Sequence, residues 1–364
     1  MLNRVAADQL KETIAKSVGT PAVVVDLDIV DANIARAQAL CDAAGVKFRP
    51  HMKTHKNASL ARKQVAAGAI GVACQKLGEA EAMIDAGIED VLVCYNIIGA
   101  ARAGKLTALL KRADLKIAAD NPVSLEAYST AAAAADRPVG VVIECDTGRK
   151  RAGVETPGEA VELARRAHED PWLDFKGLLL YPPGTDWPAT QRFLDETKEG
   201  LRAHGLEPEI VSSGGTPNLA HLSELTGITE HRAGTYIFND RMMMKAGMAT
   251  LDDCALSVYA TVVSRAAAGR GILDSGSKTL TSDTGGLEGY GLIREYPDVK
   301  IVGFSEEHGN LDFTGSESVP EIGEVVRVIP NHVCVVVNMM DRLVGVRGDR
   351  VEQILTVDAR GKLV

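Results

Sequence analysis

Between residues 46 and 232 the chain alternates eight times between a short apolar run and an alanine-rich stretch of helical character. The runs are 46–51, 70–75, 90–95, 115–120, 139–146, 175–181, 208–213 and 227–232. Near-continuous apolar character marks strands buried on both faces, and helices between successive strands imply parallel pairing. Eight such units are the number needed to close a (β/α)8 TIM barrel. An open doubly wound sheet is the competing architecture, but no GxGxxG turn opens any of the helical stretches. Aromatic residues make up only 4% of the chain while alanine, valine and glycine abound, which suits tightly packed strands and helices.

After residue 250 the texture changes. The runs 255–265, 270–274, 299–304, 324–329, 333–339, 342–347 and 351–357 are short, often alternating, and broken by glycine and charged turns. That pattern predicts a mostly antiparallel β domain. The expected division is therefore a barrel over 20–250 and a β domain over 251–364, joined by the N-terminal segment 1–19. Within that segment, residues 1–18 read as a short amphipathic helix. The valine-rich run 21–27 is expected to pair with the barrel.

A formal charge of −9 argues against a nucleic-acid partner. No apolar run approaches membrane-spanning length, and no secretory leader precedes the first strand. The six cysteines are scattered, with no CxxC pair. Together these features predict a reduced, cytoplasmic protein in which most cysteines are small core residues.

Reactive groups in such a barrel gather at the carboxyl ends of the strands. Read in order, those ends carry Lys53, Gln75, Tyr95, Asp120, Asp146, Tyr181, Ser213-Gly214-Gly215-Thr216 and Gly234-Thr235-Tyr236. Almost all are polar, where simple turns would carry glycine or asparagine alone. The first end is the most pointed: Pro50-His51-Met52-Lys53-Thr54-His55-Lys56 sets two lysines and two histidines at the mouth of a strand. A lysine among such neighbours suits a Schiff-base catalyst, because only the neutral amine attacks an aldehyde. Lys53 shares a side with His51 in extended chain, whereas Lys56 lies further into the loop, so Lys53 is favoured.

Gly-rich turns with exposed N–H groups, hydroxyls and a helix start form anion sites. Barrels commonly place a phosphate pocket after strands seven and eight, where Ser213 to Thr216 and Gly234 to Tyr236 fall. A phosphate pocket facing a lysine is the layout for pyridoxal 5'-phosphate. The candidate cofactor contacts are thus His51, Lys53, Gln75, Ser213, Gly214, Gly215, Thr216, Gly234, Thr235 and Tyr236. The pyridine nitrogen needs a partner from the loop after the fifth run, and spacing alone leaves Asp146, Arg149 and Arg151 open. Finally, His332 and Cys334 are two residues apart. On a strand they share a face and supply half of a metal site, with zinc best matched to nitrogen plus sulfur.

These motifs, with the 148–154 stretch and Glu306-Glu307-His308-Gly309, together resemble the D-threonine aldolase and D-serine dehydratase group. Those enzymes are relatives of alanine racemase with the fold-type III pyridoxal-phosphate architecture. The resemblance runs from about Thr20 to Gly361 and keeps the family's motif order. It implies Lys53 as the Schiff-base lysine and Arg151 at the pyridine nitrogen. It also implies His332 and Cys334 on a divalent ion (zinc, manganese or magnesium), and a homodimer in which one subunit's β domain caps the other's barrel. The implied substrates are D-β-hydroxy-α-amino acids. The expected reaction is retro-aldol cleavage to glycine and an aldehyde; the alternative is dehydration to a 2-oxo acid and ammonia. A racemase would leave His332 and Cys334 unexplained, and a non-catalytic cofactor carrier would not need the β domain. One departure stands out. Related aldolases carry a histidine after the sixth-strand tyrosine, whereas here Tyr181 is followed by Pro182-Pro183-Gly184, which leaves Tyr181 or a metal-bound hydroxide as the candidate base.

Overall fold

The computed structural model describes residues 4–364. Of the expected N-terminal helix, Arg4–Ser17 is observed and residues 1–3 lie outside the described residues. The chain divides into two units, one of residues 1–35, 54–57 and 235–361, the other of residues 36–53, 58–234 and 362–364.

Ala22–Asp26 (β1) belongs to the first of these units, and the eight strands that follow build the second. They are Lys47–Phe48 (β2), Val72–Cys74 (β3), Asp90–Val93 (β4), Asp114–Ala119 (β5), Val139–Cys145 (β6), Leu173–Leu180 (β7), Ile210–Gly214 (β8) and Glu230–Arg232 (β9). All pair in parallel, in the order β2-β9-β8-β7-β6-β5-β4-β3. The end strands then meet: His51 bridges Ala73, with Ala73 N donating to Pro50 O at 2.8 Å and Met52 N to Ala73 O at 2.9 Å. This closes the barrel. Leu92, Ala118, Val142 and Leu179 pack together as one of its buried clusters. The intervening helices start where local chemistry dictates. Asn121 Oδ1 accepts from Ser124 N ahead of Pro122–Ala135, and Thr156 and Glu159 form a capping box ahead of Pro157–Glu169.

Near the amino ends of β4 and β9 the barrel interior is ionic. Arg49, 1% exposed, sets Nε 3.0 Å from Glu230 Oε2 and Nη1 2.6 Å from Asp90 Oδ1. Lys116 joins Asp90 at 3.2 Å, and Ser212 Oγ donates to Glu230 Oε1 at 2.6 Å. Burial works against the Arg49 charge, but Glu230 and Asp90 outweigh it and raise its pKa.

The other unit is a nine-stranded sheet that adds Leu256–Ala267 (β10), Arg270–Leu273 (β11), Leu292–Ile293 (β12), Lys300–Phe304 (β13), Gly309–Asp312 (β14), Val325–Ile329 (β15), Arg342–Arg347 (β16) and Arg350–Thr356 (β17). Its order is β11-β14-β13-β12-β15-β10-β1-β16-β17, antiparallel throughout except for β1 beside β16. Two expectations are corrected here. The run 21–27 does not join the barrel: β1 lies between β10 and β16, with Val24 in a core of Leu10, Ile14, Tyr259 and Val344. The apolar run Val333–Met339 is a helix, not a strand. Its first N–H, on Val333, donates to the buried Asp240 Oδ2 at 3.1 Å, a cap supplied from far along the chain.

Candidate active site

In the barrel unit, β2 gives way to Arg49 and Pro50, and the chain continues up the barrel wall. His51 N donates to Ala233 O at 2.8 Å, which carries Lys53 to the carboxyl end. His51 is buried, and its Nδ1 lies 3.4 Å from Lys53 N. The Lys53 side chain is half-buried. Lys56, its rival, adopts a left-handed backbone (φ 50°) in the other unit. It is buried there with Nζ 3.3 Å from Ala359 O, and Ala359 N donates back to Lys56 O. Its amine is committed to a structural contact. Gln75 is committed in part, since its Nε2 donates to Cys94 O at 2.8 Å and its N to Glu79 Oε2 at 2.7 Å.

The turn after β8 is shaped by the absence of side chains. Gly215 sits at φ 110°, and a Cβ there would lie 2.6 Å from Tyr181 Cε2; one on Gly214 would lie 2.9 Å from Arg232 Nη2. Gly215 N donates to Arg232 O at 2.7 Å, and His231 Nε2 meets Gly215 O at 3.0 Å. Burial pushes the His231 pKa down to about 3, against the opposing bond to Gly215, so its imidazole is neutral. Arg232 donates to Leu180 O at 2.9 Å and to Ser212 O at 2.8 Å, and also bonds Ser212 Oγ. Ser213 and Thr216 are buried, and Thr216 leads into the 3-10 stretch Pro217–Glu224. Sequence reasoning gave Glu230 and Arg232 no role. The available signal was a three-residue strand, Glu-His-Arg, with no apolar residue in a buried position, which is costly unless every group is paired.

The loop after β6 is held together by Asp146. Asp146 Oδ1 accepts from Gly148 N at 2.8 Å and Arg149 N at 2.6 Å, and Oδ2 from Arg151 N at 3.1 Å. That carboxylate folds its own loop, which also carries Arg149 and Arg151. Both guanidiniums lie over the Tyr181 ring, Arg149 at 3.9 Å and Arg151 at 5.0 Å, and Arg149 Nη2 donates to the phenol oxygen at 3.2 Å. Arg151 Nη2 is also 3.7 Å from Glu144 Oε1. Burial raises the Glu144 pKa, offset in part by Arg151 and Arg232.

In the antiparallel unit, His332 is the N-cap of the helix Val333–Met339 and Cys334 its second residue. The preceding turn is pinned: Asn331 Oδ1 accepts from Arg241 Nη1 at 2.7 Å and its Nδ2 donates to Gly289 O at 2.9 Å. His332 Nδ1 is 2.6 Å from Asp283 Oδ2. Cys334 Sγ is 3.2 Å from Thr54 Oγ1, the residue after Lys53, and 3.9 Å from Thr235 Oγ1, the residue after Gly234. The hydrogen bond to Cys334, opposed by burial and reinforced by Asp283, raises the His332 pKa to about 10. An imidazole whose Nδ1 is held by Asp283, with a thiol two residues on, is a nitrogen-plus-sulfur donor pair of the kind that fits a divalent ion such as zinc. Among the described residues no third His, Cys, Asp or Glu completes a ligand cluster. Tyr236, in the 3-10 turn Thr235–Ile237, is buried. The 306–309 segment is a turn between β13 and β14: Glu306, Glu307 and His308 are exposed, and Glu307 pairs with Lys278 at 2.7 Å.

A parallel barrel with a lysine at the mouth of its first strand, followed by an antiparallel domain carrying a His-x-Cys pair, defines a fold-type III pyridoxal-phosphate enzyme. The alanine racemase N-terminal domain family matches residues 25–242, and a serine dehydratase domain family matches 255–346. D-threonine aldolase of Arthrobacter sp. is 32% identical, over 94% of this chain and 93% of its own. The crystal structure of D-threonine aldolase from Filomicrobium marinum superposes with a TM-score of 0.87 at 32% identity, covering 95% of this chain and 96% of that one. D-threo-3-hydroxyaspartate dehydratase of Delftia sp. gives 0.84 at 31% identity, covering 96% and 98%. Structures of that dehydratase include a histidine-to-alanine variant and, two positions on, a cysteine-to-alanine variant in a metal-free form. The chain belongs to the D-threonine aldolase and D-serine dehydratase-like family of alanine racemase relatives, and it is a pyridoxal-phosphate-dependent lyase.

Proposed function

We propose that this lyase cleaves D-β-hydroxy-α-amino acids by the retro-aldol route, giving glycine and an aldehyde, with pyridoxal phosphate and a divalent metal ion as cofactors. The carrying observation is the 3.2 Å contact of Cys334 Sγ with Thr54 Oγ1, one residue along the chain from Lys53. Pyridoxal phosphate supplies an electron sink for the pair released at the substrate's α-carbon. Lys53 holds the cofactor through Nζ, with His51 and Gln75 alongside. Arg151 donates to the pyridine nitrogen, a role supported by the commitment of Asp146 to its own loop. Because an arginine donates without giving up its proton, it keeps that sink moderate. Ser213, Gly214, Gly215, Thr216, Gly234, Thr235 and Tyr236 bind the phosphate through backbone N–H groups and hydroxyls. His332 and Cys334 hold the metal, whose chemistry is to acidify the substrate hydroxyl. Tyr181, acting as a phenolate beside the Arg149 guanidinium, would take the hydroxyl proton in place of the missing histidine and become the neutral phenol.

A second reading, dehydration to a 2-oxo acid and ammonia, is favoured by the matching His-x-Cys spacing in the Delftia dehydratase. In that case Lys53 Nζ takes the α-proton. Incubation with D-threonine decides between them: glycine plus acetaldehyde supports the aldolase, and 2-oxobutanoate plus ammonia replaces it with the dehydratase. We also propose a homodimer, on the family resemblance, to be tested by sedimentation. A reduced cytoplasmic setting is supported by six cysteines that form no disulfide, four of them buried. No helix among the described residues is long and apolar enough to cross a membrane.

A further inference from the structure

We propose that Asp283 is the positioning residue of the metal centre: it fixes the His332 ring so that Nε2 faces the metal. This rests on the reading of His332 as a ligand. The two Asp283 oxygens have separate tasks. Oδ2 lies 2.6 Å from His332 Nδ1, while Oδ1 accepts from Gly285 N at 3.1 Å and so locks the carboxylate's orientation. Asp283 N donates to Thr281 Oγ1 at 3.1 Å. Thr281 is itself buried and held at φ 69°, ψ 146°, a conformation that residues with a Cβ rarely adopt. A threonine persists there because its hydroxyl anchors the turn that presents Asp283.

The opposite side of His332 is fixed too. It caps a helix whose first N–H is held by Asp240, and Asn331 before it is tied to Arg241 and Gly289. With the backbone tied at these points, the remaining freedom is ring rotation and tautomer, and Asp283 restricts both. A proton on Nδ1 donated to the carboxylate leaves the Nε2 lone pair for the ion and makes that nitrogen more basic.

Cobalt(II) is the probe. The wild type, Asp283→Asn, Asp283→Ala and His332→Ala are each loaded with pyridoxal phosphate and titrated with cobalt against a competing chelator, following the cobalt d–d and thiolate charge-transfer bands. The expected order of affinity is wild type, then Asp283→Asn, then Asp283→Ala, with the alanine variant about 10- to 100-fold weaker and its thiolate band retained. In the wild type, nitrogen-15 spectra of His332 should show the proton on Nδ1. An Asp283→Ala affinity equal to wild type, with binding lost in His332→Ala, would overturn the positioning role alone. A changed ligand-field spectrum in Asp283→Ala would make Asp283 a direct ligand and also overturn it. Full binding in His332→Ala would remove the ligand assignment and this inference with it.

Discussion

The two ends of the barrel hold similar residues in opposite states. Toward the amino ends of β4 and β9, Arg49 and Glu230 are buried, Asp90 and Lys116 are half-buried beside them, and every charge has a partner. At the carboxyl ends, Arg149 and Arg151 are exposed over the Tyr181 ring, and Lys53 is half-buried beside His51. Charge that is paired stabilises a fold, whereas charge left available is free to meet a ligand. On the proposed reading, the same residue types mark structure at one end and chemistry at the other.

Substitutions at each end should separate the two roles. The largest effect is expected from Lys53→Ala: turnover should fall at least about a thousandfold while the melting temperature scarcely moves. A parallel loss of stability would erase the contrast. Arg49→Met should do the reverse. It strands Glu230 in the interior and should cost about 3–5 kcal/mol in denaturant unfolding, with turnover per folded molecule retained. Gly215→Ala lies between the two ends in kind. Its φ of 110° and the approach to Tyr181 should cost about 1–3 kcal/mol and also weaken retention of pyridoxal phosphate on dialysis. The smallest effect concerns acid. An unfolded histidine protonates near 6.5, but the buried His231 stays neutral down to about 3. Below pH 6.5 the unfolded chain therefore binds a proton that the folded chain refuses, and stability falls with pH. The His231 share of that slope is at most about 1.4 kcal/mol per pH unit, and His231→Gln should flatten the unfolding profile between pH 6 and 4.

Much of this was legible in the sequence, and the failures have definite causes. All eight barrel strands lie at the expected runs, most of them because burial on both faces writes itself as largely apolar sequence; β9, Glu-His-Arg, is the exception. The run at 21–27 looks the same but pairs with β10 and β16, partners far along the chain that no local pattern announces. Val333–Met339 was open to either periodicity, being seven residues long and largely valine. Its helical state depends in part on the cap from Asp240. The choice of Lys53 over Lys56 rested on strand alternation; the contact of Lys56 with Ala359, far along the chain, had no local signal in the sequence. The trio Asp146, Arg149 and Arg151 stayed open because only the fold reveals that Asp146 is consumed by its own loop.

The central claim is that the Lys53 amine carries the cofactor at the carboxyl end of the barrel. The most direct test is borohydride reduction of the pyridoxal-phosphate-loaded protein, followed by peptide mass mapping. The account predicts one stoichiometric phosphopyridoxyl label, on Lys53. A label on Lys56 or elsewhere, or a protein that takes up no coenzyme and no label, would contradict it.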